Sequence, residues 1–144
     1  MKKNVLGRTG LLVSEICFGT LTMGPLQKRL PIEEGADLIN HALSKGINFF
    51  DTAELYQTYP YLREGLRGMR KQAVISTKSY AYSADGAKRS LEKALKELDT
   101  DYVDIFMMHE QESEHTIKGH WEAAEYFLKA KEEGLIKAFG ISTH

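Results

Sequence analysis

The chain has 144 residues, of which 42% are hydrophobic and 27% charged, and a formal net charge of −1. That length supports one domain with a real core, and the near-neutral balance supplies no electrostatic drive toward nucleic acid or an anionic membrane. The single cysteine, Cys17, excludes a disulfide framework within the chain.

The opening residues MKKNVLGRTG are not followed by the apolar stretch of a signal peptide, and no apolar run reaches membrane-spanning length. The expectation is a soluble, cytoplasmic protein. In KKNVLGRTGLLVSE two short apolar pieces flank a Gly-Arg-Thr-Gly turn, which predicts a β-hairpin over residues 1–14. EICFGTLTM then reads as a buried strand. PIEEGADLINHALSKG predicts a helix with Pro31 at its first position, a stripe of Ala36, Ile39 and Leu43, and Gly46 at its end. INFFD is the next strand, followed by a shorter helix around YLREGLRGM. AVISTK is strand-like, and SADGAKRSLEKALKELDT is a strongly amphipathic helix with Ala87, Leu91, Ala94, Leu95 and Leu98 on one face. YVDIFMMH, HWEAAEYFLKAKEEG and IKAFGIS complete the series as strand, helix and strand. Met107 and Met108 are core or helix-facing residues, and Trp121 is expected to pack on the fourth helix.

Regular strand–helix alternation argues for a parallel sheet covered by helices. A five-stranded flavodoxin-like domain fits the length, and a (β/α)8 barrel is the competing architecture. The turn after the first strand reads GTLTMG rather than G-x-G-x-x-G, so the dinucleotide fingerprint of an open sheet is missing. The strand ends decide for a partial TIM-type barrel. Their last polar residues are Asp51, Lys78, His109 and Ser142, spaced 27, 31 and 33 residues apart, each about one βα unit. Alternation puts Asp51 on the face of Ile47 and Phe49, Lys78 on that of Val74 and Ser76, and His109 on that of Ile105 and Met107. A carboxylate, an ammonium and an imidazole thus project from the C-terminal ends of successive strands, where barrel enzymes carry their chemistry. Asp51 and Lys78, on adjacent strands, are expected to form a partly buried ion pair. A lysine near the phenol of Tyr56 is expected to lower its pKa and suit it to general acid catalysis.

FFDTAELY, then STK, then DIFMMH, together resemble the aldo-keto reductase family, whose pattern is D-T-A-x-x-Y, T-K and a strand-end histidine. VLGRTGLLVSEICFGT also resembles the family's floor-capping hairpin and first strand, so the resemblance runs from about residue 4 to the end. It implies that Tyr56 is the proton donor, Lys78 the residue that lowers its pKa, Asp51 the partner of that lysine, and His109 the group that orients a substrate carbonyl. It also implies hydride transfer from a nicotinamide cofactor, NADPH or NADH, to an aldehyde or ketone. Gly19, Thr20 and Asp51 would edge the nicotinamide pocket. GISTH stands where GVSNF is frequent, so Ser142 is a candidate carboxamide contact, and Thr143 replaces a common asparagine. After Tyr56 this chain runs YQTYPYLREG, not Y-G-x-S-E, which makes Tyr59 and Tyr61 rival acids; Pro60 is expected to disturb the backbone beyond Tyr56.

HEQE and GISTH look closest to bacterial members with an iron–sulfur-type C-terminal extension, a cluster that one cysteine cannot build. A closed barrel needs eight strands and about 250 residues, so residues 1–144 are expected to be the N-terminal half of such a barrel: a hairpin over 1–14, then strands 1 to 5 with helices 1 to 4 over 15–144. Most of the cofactor site would lie in the other half. Such a fragment would be inactive alone and self-associate through exposed strand edges. The alternatives are a non-catalytic binding subunit of the same family, as in potassium-channel β-subunits, and the flavodoxin-like module. His109, His115 and His120 with Glu110, Glu112 and Glu114 lack metal-motif spacing and read as the long loop after the fourth strand, so no metal site is expected. Arg63, Arg67, Arg70 and Lys71 read as a solvated helix face, and Asp104, turned away from His109, as a structural hydrogen-bonding residue.

Overall fold

The computed structural model describes residues 1–143. The hairpin forms where the turn chemistry puts it: β1 (Lys3–Val5) pairs antiparallel with β2 (Leu12–Ser14) across a turn in which Gly7 and Gly10 take positive φ. Five parallel strands follow: β3 (Cys17–Gly19), β4 (Phe49–Asp51), β5 (Val74–Ser79), β6 (Val103–Met108) and β7 (Ile136–Ile141). They lie side by side in the order in which they occur in the chain. A flavodoxin-like sheet reverses its strand order at a switch point, so the sequential order removes that alternative and leaves a partial (β/α)8 barrel. The first barrel strand stops at Gly19, and Leu21–Met23 turn into a short 3-10 helix instead of prolonging it.

Period-two alternation gives the curved sheet two unlike faces. Outward, Phe50, Ile75 and Phe106 join the larger core with the helices. Inward, Val13, Val74, Ile105 and Ala138 form a smaller cluster, against which Leu6, Leu11, Phe49 and Met107 pack. Hairpin residues therefore plug the floor of the barrel. Asn48 secures them from the foot of β4: its Oδ1 accepts from Ser14 N at 2.7 Å, and its Nδ2 donates to Leu12 O at 2.9 Å.

The helices are α1 (Ile32–Ser44), α2 (Tyr59–Gly65), α3 (Ala84–Leu98), α4 (Glu114–Gly119) and α5 (Trp121–Glu132). In α1 the buried positions are Gly35, Ile39 and Ala42, with Ala36 and Leu43 half-buried, and Pro31 precedes the helix as its N-cap. The inward stripe is rotated because α2 packs closely there. A Cβ at Gly35 would lie 2.2 Å from the Tyr61 ring, and one at Gly65 would lie 2.7 Å from Ala36 O. Pro60 sits in the first turn of α2, where a missing N–H breaks no helical bond, so it starts the helix rather than disturbing the backbone. Helix α3 presents Ala87, Leu91, Ala94 and Leu98 inward, capped by Ser83 Oγ accepting from Gly86 N.

Two expectations fail beyond β6. The stretch 114–119 is helical rather than loop, because Ser113 and Thr116 form a reciprocal capping box. Trp121 is 52% exposed, its indole N–H donating to Glu125 Oε1 at 3.1 Å, and it does not pack into the core. The basic run also divides. Arg63 and Arg67 are exposed and pair with Glu64, whereas Arg70 lies past the end of α2 and binds Asp104 Oδ2 at 2.8 Å. Asp104, 1% exposed, also accepts from Ile75 N at 3.1 Å and from Lys137 Nζ at 2.8 Å. Arg70 and Lys137 stack on the Tyr102 ring, 4.5 and 3.9 Å from its centroid. Asp104 thus ties β5, β6 and β7 together at their N-terminal ends. Asp104→Asn leaves two cations short of a buried counter-charge and is expected to destabilise the fold by about 3 kcal/mol, measured by urea unfolding; a loss within the error of the wild-type curve would contradict this role.

Candidate active site

The inner-face alternation that buries Val74 and Ile105 at the floor delivers polar groups at the other end of the same strands. Asp51 is in register with Gly19 on β3 and Ser76 on β5, and Lys78 stands one inward position beyond Ser76. His109 directly follows β6, its N–H donating to Ser79 O at 2.9 Å. Lys78 Nζ reaches Asp51 Oδ1 at 2.8 Å, Asp51 Oδ2 at 2.7 Å and Thr52 O at 2.8 Å. All three protons of the ammonium are thereby used, which is what a lysine left 7% exposed requires.

After Asp51 the chain makes one 3-10 turn, Glu54–Tyr56, ended by Gln57 in the left-handed region at φ 56°. This turn brings the Tyr56 ring over the ion pair, with Lys78 Nζ 5.2 Å from its centroid. The His109 ring meets Tyr56 edge-on, centroids 5.9 Å apart. Asp51, Tyr56, Lys78 and His109 therefore come together at the C-terminal end of the sheet.

The rival tyrosines do not. The Tyr59 hydroxyl is fully buried against Thr77 Oγ1 at 2.7 Å, and the Tyr61 hydroxyl donates to Leu30 O at 2.7 Å. Both are committed to the helix-covered side.

The electrostatics differ from the sequence expectation in one respect. The Tyr56 pKa is raised above its ordinary value of 10, not lowered, first by burial and then by the charges of Asp51 and Glu110. Both oxygens of the Asp51 carboxylate bond the Lys78 ammonium, so much of that cation's field at the phenol is offset. A raised pKa keeps the phenol protonated through the neutral range, the state that a proton donor needs.

Among the candidate cofactor residues, Gly19 is exposed, and a Cβ there would meet nothing within 4 Å, so the space beside Asp51 is open. Thr20 is different: it is 0% exposed, and its Oγ1 donates to Asp51 O at 3.0 Å. Its hydroxyl is committed to the Asp51 carbonyl and to Thr58 Oγ1, so it braces the backbone instead of facing the open space. Ser142 Oγ accepts from Glu110 N at 2.9 Å and Ser142 O accepts from Gln111 N at 2.7 Å, so Ser142 anchors the loop after β6, while Thr143 is exposed beyond it.

Sequence reasoning missed Tyr80, whose ring stacks on His109 with centroids 4.4 Å apart and 24° between planes. Its hydroxyl bonds to Glu110. Tyr80 stands two residues past Lys78, so the same alternation that selected Lys78 points to it. Among the described residues no group of three or more His, Cys, Asp or Glu side chains is placed to hold a metal ion, and no helix is long and apolar enough to cross a membrane.

The family model of the aldo/keto reductase family matches residues 15–144. The chain belongs to that family. It is 28% identical to the uncharacterised oxidoreductase YqkF of Bacillus subtilis, covering 99% of this chain and 49% of the relative. It is 30% identical to the L-galactose dehydrogenase of Arabidopsis thaliana, covering 95% and 47%. The holo form of an aldo-keto reductase from Bacillus halodurans superposes with a TM-score of 0.84 at 29% identity, covering 99% of this chain and 50% of that one. The chain thus spans about half the length of these relatives.

Asp51→Asn removes a negative charge beside the phenol and leaves Lys78 uncompensated; both effects favour the phenolate. The Tyr56 titration, followed by 13C NMR of the tyrosine ring, is expected to move to lower pH in this variant. No movement, or a rise, would contradict the electrostatic description.

Proposed function

We propose that these residues are the proton-delivering part of a nicotinamide-dependent carbonyl reductase that converts aldehydes or ketones to alcohols. The observation that carries the reading is the fully bonded Lys78–Asp51 pair beneath Tyr56, with His109 at the rim, at the strand ends where barrel enzymes work. The nicotinamide, NADPH by preference, would supply the hydride that reaches the carbonyl carbon. Gly19 offers it an unobstructed edge next to Asp51, and Ser142 and Thr143, just past the opposite edge strand β7, would meet its carboxamide.

Tyr56 donates its phenolic proton to the carbonyl oxygen as negative charge develops there, and regains it from solvent. The Lys78 ammonium is fixed by Asp51 and Thr52 O at 5.2 Å from the centre of the Tyr56 ring, so only the part of its field that Asp51 does not offset acts on the transient phenolate. His109 holds the carbonyl oxygen toward Tyr56, its ring kept in plane by the Tyr80 stack. The substrate is a small carbonyl compound.

A general acid of this kind contributes about 10² to 10⁴ in rate. In a polypeptide that joins these residues to the second half of such a barrel, Tyr56→Phe is expected to lower kcat for aldehyde reduction by at least about 10², read as NADPH consumption. Tyr59→Phe and Tyr61→Phe are expected to retain the rate once stability is matched. An unchanged rate in Tyr56→Phe would sink the assignment.

The 144-residue chain itself offers β3 and β7 as unpaired parallel edges among its described strands, and such edges favour association. It is expected to bind NADPH weakly and to form dimers or larger species by light scattering. A clean monomer at high concentration would remove the self-association proposal without touching the chemistry.

A further inference from the structure

Thr20, Thr52 and Thr58 are each 0% exposed, and their hydroxyls touch: Thr52 Oγ1 to Thr58 Oγ1 at 2.7 Å, and Thr58 Oγ1 to Thr20 Oγ1 at 2.7 Å. A hydroxyl has one proton, and this limits the arrangement. Thr20 gives its proton to Asp51 O, because a carbonyl only accepts. Thr58 must then donate to Thr20, and Thr52 to Thr58. The chain of donors runs one way, from Thr52 through Thr58 and Thr20 to the backbone of Asp51.

Thr52 and Thr58 also bracket the segment 53–57, the turn that carries Tyr56. Their hydroxyl contact closes that turn at its base, and Thr20 ties the closure to β3. Three further features agree. Thr58 is the N-cap residue of α2, yet its side chain makes no capping bond to that helix; the hydroxyl is spent on the closure instead. Lys78 Nζ donates to Thr52 O, so one end of the closure is also fastened to the ion pair. Gly24 presses on it from outside, where a Cβ would come within 2.5 Å of Thr58 Cγ2 and 2.9 Å of Tyr56 O.

We propose that Thr20, Thr52 and Thr58 form a hydroxyl clasp that positions the Tyr56 turn over the Lys78–Asp51 pair, with Thr58 as the positioning residue at its centre. The proposal deepens the reductase reading and rests on it for its purpose, but the clasp can be tested without catalysis. Thr58→Val keeps the shape and removes the hydroxyl; Thr58→Ser restores it. Amide hydrogen exchange is measured on the chain at residues 56 and 57, whose N–H groups bond to Ala53 O and Glu54 O within the turn. Amides of α3 serve as the internal reference.

In Thr58→Val, exchange at 56 and 57 is expected to accelerate by about tenfold or more while α3 keeps its wild-type rates. The Tyr56 phenol, less enclosed, is expected to titrate at lower pH than in the wild type. Thr58→Ser should restore both. Unchanged exchange at 56 and 57 would overturn the clasp. So would a uniform acceleration, failure of Thr58→Val to fold, or failure of Thr58→Ser to restore, each of which makes the cluster an ordinary core contact. A Tyr56→Phe enzyme of normal rate would instead overturn the reductase reading and leave the clasp standing.

Discussion

The ion pair between Lys78 and Asp51 is the interaction on which the rest of the site depends. A lysine at an inner-face position of a parallel barrel strand has no water to return to. Its three protons must be met by the protein, and Asp51 with Thr52 O meets them. That requirement sets the register of β4 against β5 at their C-terminal ends and dictates where the chain leaves β4. Everything chemical in the structure is arranged above this point: Tyr56 on the turn that follows, His109 across the rim, Tyr80 against His109.

The floor and the mouth of the sheet are built from one alternation and carry opposite characters. At the floor, inward positions are Val74, Ile105 and Ala138, sealed by the hairpin. At the mouth, the same register gives Asp51 and Lys78. Stability is concentrated below and on the helix side, where Asp104 gathers Arg70, Lys137 and the Ile75 N–H. The polar groups at the mouth are set apart from that core, as barrel folds separate their strand-end residues from the residues that stabilise them.

Much of this could be read from the residues because two periods, two and about thirty, are enough to find strand ends and compare them. The strand ends and the meeting of Asp51, Lys78 and His109 follow from them, whereas the hairpin follows from its turn residues and Tyr56 from its place after Asp51 and from the family resemblance. What could not be read depends on tertiary partners. Arg70 looks like its neighbours Arg67 and Lys71 until Asp104, distant in sequence, is placed beside it. Trp121 looks like core by composition and is exposed because its position on α5 faces away from the sheet. The sign of the Tyr56 shift required knowing how far the phenol is buried and that both Asp51 oxygens are bonded to the Lys78 ammonium. The role of Thr58 required knowing that its hydroxyl abandons its own helix.

A double-mutant cycle on the pair itself is the most direct test. Urea unfolding of the chain with Asp51→Asn, Lys78→Met and both together separates the interaction from the burial of each group. Either single change leaves the other charge without its partner; the double change removes both. The account predicts that the double variant loses less stability than the sum of the two single losses, with a coupling of at least about 1 kcal/mol after allowance for the partial exposure of Asp51. Additive losses, with no recovery in the double variant, would contradict it.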